Sequence, residues 1–273
     1  MDDTRHVKVL RCEGTERARL DDDIVVEEPL EIRVNNSSIG VTMRTPGADF
    51  NLAVGQLWTE GIIHTFAEIG TIAYCPNEDE PELRNVINVM LLDSSFALES
   101  TRRTWANSSC GLCGKSTIES IHRRFKRVSD STVVDYQTLF ELPERMRRYQ
   151  TNFERTGGIH AAALFDASGR LVLIREDLGR HNAVDKVLGA ALYAGVDTGE
   201  MILMVSGRLG FEIAQKAAVA GIPIIASVSA PSSLAVELAN EFGITAAGFV
   251  RDRSMNIYSH PHRVLNGISE HFA

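Results

Sequence analysis

The segment MILMVSGRLGFEIAQKAAVAGIPIIASVSAPSSLAVELANEFGITAAGFV, residues 201–250, decides the fold. Short, continuously apolar runs alternate in it with longer runs in which apolar residues recur every three or four positions. The first pattern is typical of strands buried on both faces, and the second of amphipathic helices. The segment therefore predicts an open, mainly parallel sheet with helices on both of its faces.

The same alternation extends back to Gly157. It predicts five buried strands, at residues 159–165, 171–174, 201–205, 222–226 and 244–250. It also predicts three intervening helices, at residues 182–194, 211–220 and 232–242. Each helix is followed by a glycine, which readily adopts the left-handed backbone conformation of a helix C-cap. Residues 131–273 are therefore expected to form an α/β domain with a ligand crevice.

The amino-terminal half has a different pattern. Alternating apolar residues predict a β-hairpin over residues 28–45. The spacing of Leu52 and Leu57 predicts a helix that begins with Asp49 as its N-cap. Further elements are predicted as strands at residues 71–74 and 86–92 and as helices at 116–128 and 139–153. Residues 1–130 are expected to form a smaller α+β domain.

Composition excludes several classes of protein. The formal net charge is -8, whereas a protein that holds duplex nucleic acid usually has a concentrated basic face. The charged start does not resemble a signal peptide, and no apolar run reaches the about 18 residues of a membrane span. We therefore expect a cytoplasmic protein that binds neither nucleic acid nor membranes. Four cysteines in 273 residues are too few for a disulfide scaffold.

Two of the cysteines lie in the loop CGLCG, residues 110–114. Lys115 and a capping-box helix start at Ser116 follow this loop, and a positive charge and a helix N-terminus both favour a thiolate. A thiolate is the nucleophile that a sulfur acceptor requires, and the flanking glycines permit unusual backbone angles. The pattern therefore indicates sulfur chemistry at Cys110 and Cys113.

Two other interpretations of the CxxC pair stay open. A structural zinc site needs four ligands, and without a second close pair Cys12, Cys75 or a histidine would have to complete it. A thioredoxin-like disulfide would follow a strand in a βαβ unit, whereas Ala106 to Ser109 before the loop is small and polar. We assign no metal ligand, and we expect Cys12 and Cys75 to be ordinary thiols.

Polar clusters follow three of the predicted strands, where open α/β sheets bind ligands. They span residues 175–182, 206–208 and 227–233. Hydroxyl residues that lead into helices present backbone N–H groups to an anion such as phosphate. Arg180, Lys186 and Arg208 are candidate counter-charges. Any one cluster is also explained by helix-capping serines and solvated charges, but three at equivalent positions favour a shared ligand crevice.

His160 and the last cluster add candidate ligand contacts. His160 partly matches the His-x-Glu signature of zinc deaminases, but Ala162 replaces the glutamate and the CxxC pair precedes the histidine. Deaminase chemistry is therefore not expected, although His160 remains a candidate contact. Residues 248–258 include Arg251 and Arg253, whose guanidinium groups suit phosphate oxygens.

Ten short motifs, distributed nearly end to end, are shared with a known family. They are TPG at 45–47, TEGII at 59–63, CGLCG at 110–114, TGGIHAAA at 156–163, RED at 175–177, GRHNA at 179–183, DK at 185–186, FEI at 211–213, KAA at 216–218 and SAPSSLA at 229–235. On these motifs the chain resembles the FdhD family of formate dehydrogenase accessory sulfurtransferases.

The resemblance implies that the protein accepts persulfide sulfur from a cysteine desulfurase. It then passes the sulfur to a molybdenum cofactor carrying two molybdopterin guanine dinucleotides, and so activates formate dehydrogenase. By the resemblance Cys110 carries the persulfide and Cys113 is the auxiliary thiol. The cofactor is the bound acceptor, and guanine nucleotides such as GDP are expected at the same site. A homodimer and a cytidine deaminase-like carboxyl-terminal domain are also implied.

The family's cofactor segment maps onto the last cluster. Its residues here are Phe249, Val250, Arg251, Asp252, Arg253 and Ser254. The strand-end clusters add four further candidate contacts, His160, Arg180, His181 and Ser229. The chain departs from the family pattern at Gln56, where an aromatic residue is usual, and at Asp252, where glycine is common. We expect Asp252 to affect how the anionic ligand is bound.

Overall fold

The computed structural model describes residues 3–76, 84–93, 127–128 and 131–266. The strands in these residues are β1 (Thr4–Glu13), β2 (Glu16–Val25), β3 (Glu28–Val34), β4 (Ser37–Arg44), β5 (Ile69–Tyr74), β6 (Val86–Leu91), β7 (Val134–Asp135), β8 (His160–Phe165), β9 (Leu171–Asp177), β10 (Ile202–Val205), β11 (Ile224–Ser227), β12 (Thr245–Arg251), β13 (Ser254–Ser259) and β14 (Val264–Leu265). The α-helices are α1 (Asp49–Thr59), α2 (Tyr136–Arg147), α3 (Thr151–Thr156), α4 (Arg180–Ala194), α5 (Phe211–Val219) and α6 (Ser233–Phe242). The predicted cysteine loop at 110–114 lies outside the described residues, as does the predicted helix at 116–128 except for its last two residues.

The largest sheet has six strands in the order β13-β12-β11-β10-β8-β9. Strands β10, β11 and β12 are parallel, whereas β8, β9 and β13 join the sheet antiparallel. The α/β class and the five predicted strands are confirmed, but the prediction of a mainly parallel sheet is wrong. The turns between β8 and β9 and between β12 and β13 are too short for the crossover that a parallel pair needs.

Helices cover both faces of this sheet and confirm the helices predicted after Gly157. Helices α4, α5 and α6 cover one face, where Val184, Ile213 and Leu238 are fully buried. Helix α2 covers the other face through Leu139 and Leu142. Apolar residues on both faces explain why the strands have continuous apolar sequences rather than alternating ones.

The second sheet has four strands in the order β4-β3-β6-β5 and packs against α1. Leu30 and Ile32 of β3 and Leu52 and Leu57 of α1 are fully buried in their shared core. The predicted hairpin, helix and two strands of this region are confirmed. The division into domains at residue 130 stays a prediction.

The prediction that Asp49 caps α1 is wrong. The N-cap is Ala48, whose φ of 52° lies in the left-handed region. The buried carboxylate of Asp49 instead accepts hydrogen bonds from Arg44 and from the hydroxyl of Tyr74, both at 3.1 Å. Burial, and then the charge of Asp49, raise the pKa of Tyr74 to about 12. Arg44 is fully buried, and an unpaired buried charge is strongly destabilising. The Asp49 carboxylate therefore pairs with Arg44 and does not cap the helix.

The single helix predicted at 139–153 is wrong, because two helices, α2 and α3, occupy this stretch. The backbone leaves the helical conformation at Gln150, whose ψ is 71°. The carboxylate of Glu176 accepts hydrogen bonds from the backbone N–H groups of Asn152 and Phe153, at 3.1 and 3.0 Å. The side chain of Glu176, which is distant in sequence, therefore caps the N-terminus of α3.

Residues 4–25, for which the sequence predicted no element, form an antiparallel ribbon of β1 and β2. Charged residues lie on both faces of this ribbon, so the apolar alternation that indicates a strand is weak. Gly14 has a φ of 60° at the first position of the two-residue turn, as a type II′ hairpin requires.

The two sheets are joined by a close crossing of α1 and α4. A Cβ atom at Gly55 would overlap the backbone carbonyl of Asp185, and one at Gly189 would overlap the carbonyl oxygen of Asn51. The two helix backbones are therefore in direct contact, which any side chain larger than hydrogen at either glycine would prevent.

We predict that Gly55→Ala and Gly189→Ala each lower the free energy of unfolding by about 3 kcal/mol or more, because neither backbone can retreat without disturbing a packed core. For a chain of this size that loss corresponds to a fall in Tm of roughly 6 °C or more. Differential scanning calorimetry measures it. Gly158→Ala is the control, since its Cβ would lie 3.7 Å from its nearest neighbour, an ordinary contact. Equal stability of all three variants would contradict the crossing.

Candidate functional site

The polar clusters that follow β9 and β10 lie at one edge of the six-stranded sheet, together with the start of β8. His160 begins β8 opposite Asp177, the last residue of β9. The backbone N–H of Ala161 donates to Ser206 Oγ at 2.9 Å, and the N–H of Ser206 donates to the carbonyl of Ala161 at 3.0 Å. The start of β8 and the ends of β9 and β10 are therefore neighbours.

The same edge includes the ends of the parallel strands β11 and β12. Ser227 Oγ donates to the carbonyl oxygen of Gly207 at 2.7 Å, which joins the loops after β10 and β11. The backbone N–H of Phe249 donates to the carbonyl oxygen of Ser229 at 3.1 Å. The chain topology therefore brings the three predicted clusters and the carboxyl-terminal segment to one place.

His160, Gly207 and Arg180 form the closest group at this edge. A Cβ atom at Gly207 would lie 3.3 Å from His160 Nδ1 and 3.6 Å from Arg180 Cβ, so glycine permits their close approach. Burial, followed by electrostatic interaction with Arg180 and His181, lowers the pKa of His160. His160 is therefore a neutral donor and acceptor at neutral pH.

Arg180 and His181 begin helix α4, after the end of β9. The Nε atom of Arg180 is buried and has no hydrogen-bond partner among residues 3–76, 84–93 and 131–266. His181 Nε2 lies 2.9 Å from the Glu212 carboxylate, and this hydrogen bond lowers the pKa of Glu212. Arg180 therefore has a donor available for a ligand, whereas His181 is held by a carboxylate.

The carboxyl-terminal segment spans the end of β12 and a tight turn into β13. Arg251 is paired with Ser254, and the turn residues Asp252 and Arg253 have φ values of 51° and 57°. Asp252, where the resemblance leads us to expect glycine, is thus left-handed, a conformation that glycine adopts without strain. Arg251 to Ser254 are all exposed.

The other two residues of this segment differ in exposure. Val250 is fully buried in the core on the α2 face, so its side chain does not reach the sheet edge. Phe249 is half-buried and has a φ of 54°. The guanidinium carbon of Arg251 lies over the Phe249 ring, 5.8 Å from the ring centroid. Cofactor binding by the segment stays a prediction.

A cavity of about 660 Å³ adjoins this edge. His160, Ser206 and Val228 line it from the sheet, and residues of α2, α3 and their connection line the opposite wall. Cavities of this volume suit small organic ligands. In the opposite wall Arg147 stacks on Phe153, with the guanidinium carbon 4.0 Å from the ring centroid. The sequence did not predict this wall, because it depends on the break between α2 and α3.

Lys186 is not the free counter-charge that the sequence suggested. Its side chain is buried, with Nζ 2.7 Å from Asp177 Oδ2, and it donates to the carbonyl oxygen of Thr45 at 2.8 Å. It therefore joins the two sheets. Arg208 is exposed and stays a candidate. Cys110 and Cys113 lie outside the described residues.

Comparison with known proteins gives the family. The model of the FdhD/NarQ family matches residues 25–265. The chain belongs to the FdhD/NarQ family. The sulfur carrier protein FdhD of Streptomyces avermitilis is 46% identical over 269 residues, which cover 96% of this chain and 95% of that protein. The protein of the same name from Mycolicibacterium paratuberculosis is 49% identical over 248 residues, with coverage of 88% and 91%.

A solved structure shares the architecture of this FdhD/NarQ chain. It is the crystal structure of a protein described as a formate dehydrogenase accessory protein from Desulfotalea psychrophila. The TM-score is 0.78 at 26% sequence identity, and the match covers 97% of this chain and all of that one. The relatives therefore connect the family with sulfur carriage and with formate dehydrogenase.

Two negative findings apply to the part of this FdhD/NarQ chain that the structure describes. No group of three or more histidine, cysteine, aspartate or glutamate side chains there is arranged to hold a metal ion. None of the helices in that part has the length and apolar character needed to cross a lipid bilayer.

The lowered pKa of His160 predicts a pH dependence of stability. Below its usual pKa of 6.5 the unfolded chain binds a proton that the folded chain does not, so stability falls as the pH falls through that value. As the pH is lowered from about 7.5 to about 5.5, we expect the free energy of unfolding to fall less in His160→Gln than in the parent. Urea denaturation at each pH measures the difference. As the control, the two proteins should show equal slopes between about pH 8 and about pH 9, where histidine is neutral in the folded and unfolded chains. An unchanged slope in His160→Gln would contradict the prediction.

Proposed function

We propose that this chain accepts persulfide sulfur from a cysteine desulfurase on Cys110 and delivers it to molybdenum bis(molybdopterin guanine dinucleotide), as formate dehydrogenase activity requires. The observation that carries the proposal is the sheet edge, where His160, Arg180, Ser229 and the segment from Phe249 lie together, beside a cavity of about 660 Å³ that His160 lines. The names of the relatives, sulfur carrier proteins, support the same role.

Loading begins when the Cys110 thiolate attacks the terminal sulfur of the donor's persulfide. A new sulfur–sulfur bond forms at Cys110, the donor's sulfur–sulfur bond breaks, and the donor cysteine leaves as a thiolate. Lys115 and the helix predicted after it favour the thiolate form that this attack needs. Persulfide formation therefore consumes no other reactant.

The sheet edge has the donors that an anionic acceptor requires. Arg180 has a buried Nε atom without a partner in the described chain, and Arg251 and Arg253 are exposed at the neighbouring turn. Guanidinium groups bind phosphate oxygens in bidentate geometry. Neutral His160 can donate or accept a hydrogen bond without adding charge. These groups suit the two pyrophosphates of the proposed acceptor substrate, and a guanine nucleotide such as GDP would use the same donors.

The sulfur-carrying step is tested by loading the full chain with a desulfurase and cysteine and weighing the intact protein. We expect the parent to gain one sulfur atom that a reductant removes, and Cys110→Ala to gain none. Cys12→Ala is the matched control, because Cys12 is an exposed free cysteine elsewhere in the chain, and it should load normally.

Two results would contradict sulfur carriage by Cys110. One is normal loading of Cys110→Ala. The other is formate dehydrogenase activation by Cys110→Ala at the parental level, which would favour the alternative of a cofactor-binding chaperone with a structural CxxC. About one zinc per chain by elemental analysis would identify such a structural site.

Acceptor binding is tested separately with GDP as the probe. We expect Arg180→Ala to weaken GDP binding about tenfold or more, because a hydrogen bond to a charged group is lost. Isothermal titration calorimetry measures the affinity. Arg170→Ala is the control, since Arg170 is exposed and paired with Asp166 outside the sheet edge. Equal affinities of the two variants would contradict a role for Arg180.

A further inference from the structure

A second cavity, of about 260 Å³, lies where the loop before α1 meets strand β9. It shares no lining residue with the cavity of about 660 Å³. Three of the shared motifs, TPG, RED and DK, contribute to its lining, and these residues have no role in the proposed function. Pro46 and Tyr149 add apolar surface. The volume is below the range of drug-sized ligands, so the cavity suits a smaller molecule.

Arg175 gives this cavity a positive charge that no carboxylate offsets in the described chain. Its Nη1 donates to the carbonyl oxygen of Ile174 at 2.7 Å, and its Nε and Nη2 each lie 3.4 Å from Asn51 Oδ1. Both acceptors are neutral, and burial alone lowers the pKa of Arg175. Lys186 also lines the cavity, but its Nζ lies 2.7 Å from Asp177 Oδ2, which offsets its charge. The half-buried guanidinium of Arg175 therefore favours a ligand with an anionic group.

Two carboxylates, those of Asp3 and Glu176, line another part of the cavity. Glu176 accepts hydrogen bonds from the backbone N–H groups of Asn152 and Phe153, and Asp3 accepts one from Asn152 Nδ2 at 2.7 Å. These donors are uncharged, so they do not neutralise the carboxylates. Burial raises the pKa of Glu176, and the charge of Asp3 acts in the same direction. A ligand cation beside the two carboxylates would favour the charged form of both.

The two charged walls of the cavity lie on opposite faces of β9. Arg175 and Glu176 are consecutive residues of this strand, and consecutive side chains of a strand point to opposite faces. Arg175 contacts Asn51 of α1, whereas Glu176 contacts the start of α3. The cavity therefore has an anion-binding wall and a cation-binding wall, separated by the edge of the strand.

Backbone groups of β9, an edge strand of the six-stranded sheet, lie between the two walls. The carbonyl oxygens of Ile174 and Glu176 point away from β8 and accept hydrogen bonds from Arg175 at 2.7 Å and from Lys186 at 3.4 Å. In a strand the N–H group of a residue points to the same edge as its carbonyl group. The N–H groups of Ile174 and Glu176 are therefore further donors for an anionic group at this edge.

We propose that this cavity binds a free α-amino acid with an aliphatic side chain. Its carboxylate pairs with Arg175, its ammonium group lies beside Asp3 and Glu176, and its side chain packs against Pro46 and Tyr149. A simple anion would leave the carboxylates without a cation, and a simple cation would leave Arg175 without an anion. A zwitterion satisfies both walls. The proposal does not depend on sulfur transfer, since the cavity is separate from the one that His160 lines.

Isothermal titration calorimetry of the full chain with L-valine tests the proposal, and two analogues that each lack one charge serve as comparisons. L-valinamide keeps the ammonium group without the carboxylate, and L-2-hydroxyisovalerate keeps the carboxylate without the ammonium group. We expect L-valine to bind with a Kd of about 1 mM or tighter. Each analogue should bind about tenfold more weakly or worse, because it leaves one charged wall without its partner.

Two variants assign the charges of the ligand to the two walls. Arg175→Gln should weaken L-valine binding about tenfold or more and abolish the preference for L-valine over L-valinamide. Asp3→Asn should weaken L-valine binding but leave the affinity for L-2-hydroxyisovalerate unchanged. The matched controls are Arg170→Gln and Asp21→Asn, the same substitutions at exposed residues outside the cavity, and both should keep the parental affinity.

Three results would overturn the proposal. The first is the absence of saturable L-valine binding up to about 10 mM in the parent chain. The second is binding of either analogue as tightly as L-valine, which would show a site for a simple anion or a simple cation. The third is an unchanged affinity for L-valine in Arg175→Gln. The first two use the parent chain alone, so they do not depend on how well a variant folds.

Discussion

The close crossing of α1 and α4 is the constraint on which the rest of the structure depends. Gly55 and Gly189 allow the two backbones to touch, and a buried polar contact lies beside them. Lys216 Nζ of α5 is 2.8 Å from Asp185 of α4 and donates to the hydroxyl of Thr59 of α1 at 3.0 Å. Both charges of this pair are buried, so removing either residue would leave an unpaired charge inside the protein and destabilise the fold. Helices α1, α4 and α5, which pack against the two sheets, are thereby held in one arrangement.

The same crossing positions the candidate site. Helix α4 begins with Arg180 at the sheet edge, and nine residues later Gly189 contacts α1, a distance of about 14 Å along the helix. Near its start the buried pair of Lys186 and Asp177 also binds the backbone of Thr45, from the other sheet. The guanidinium of Arg180 is therefore placed by contacts with both sheets and not by the six-stranded sheet alone.

Features with a local pattern were predictable from the sequence, and features that depend on distant partners were not. Buried strands and glycine-terminated helices have local patterns, and strand ends were sufficient to bring His160 and Arg180 to one edge. Asp49 and Lys186 were assigned wrongly because their partners, Arg44 and Asp177, are known only once the chain is folded. The β1–β2 ribbon was missed because charges obscure its alternation, and the wall formed by α2 and α3 was missed because a long-range cap breaks the predicted helix.

The turn between β12 and β13 has a consequence for affinity. Two successive residues in the left-handed region, Asp252 and Arg253, leave this hairpin few alternative backbone conformations. The turn thus fixes the spacing of Arg251 and Ser254, which are paired across the hairpin. The polyphosphate that we propose as a ligand would therefore lose little backbone entropy on association, because the folded hairpin fixes this spacing.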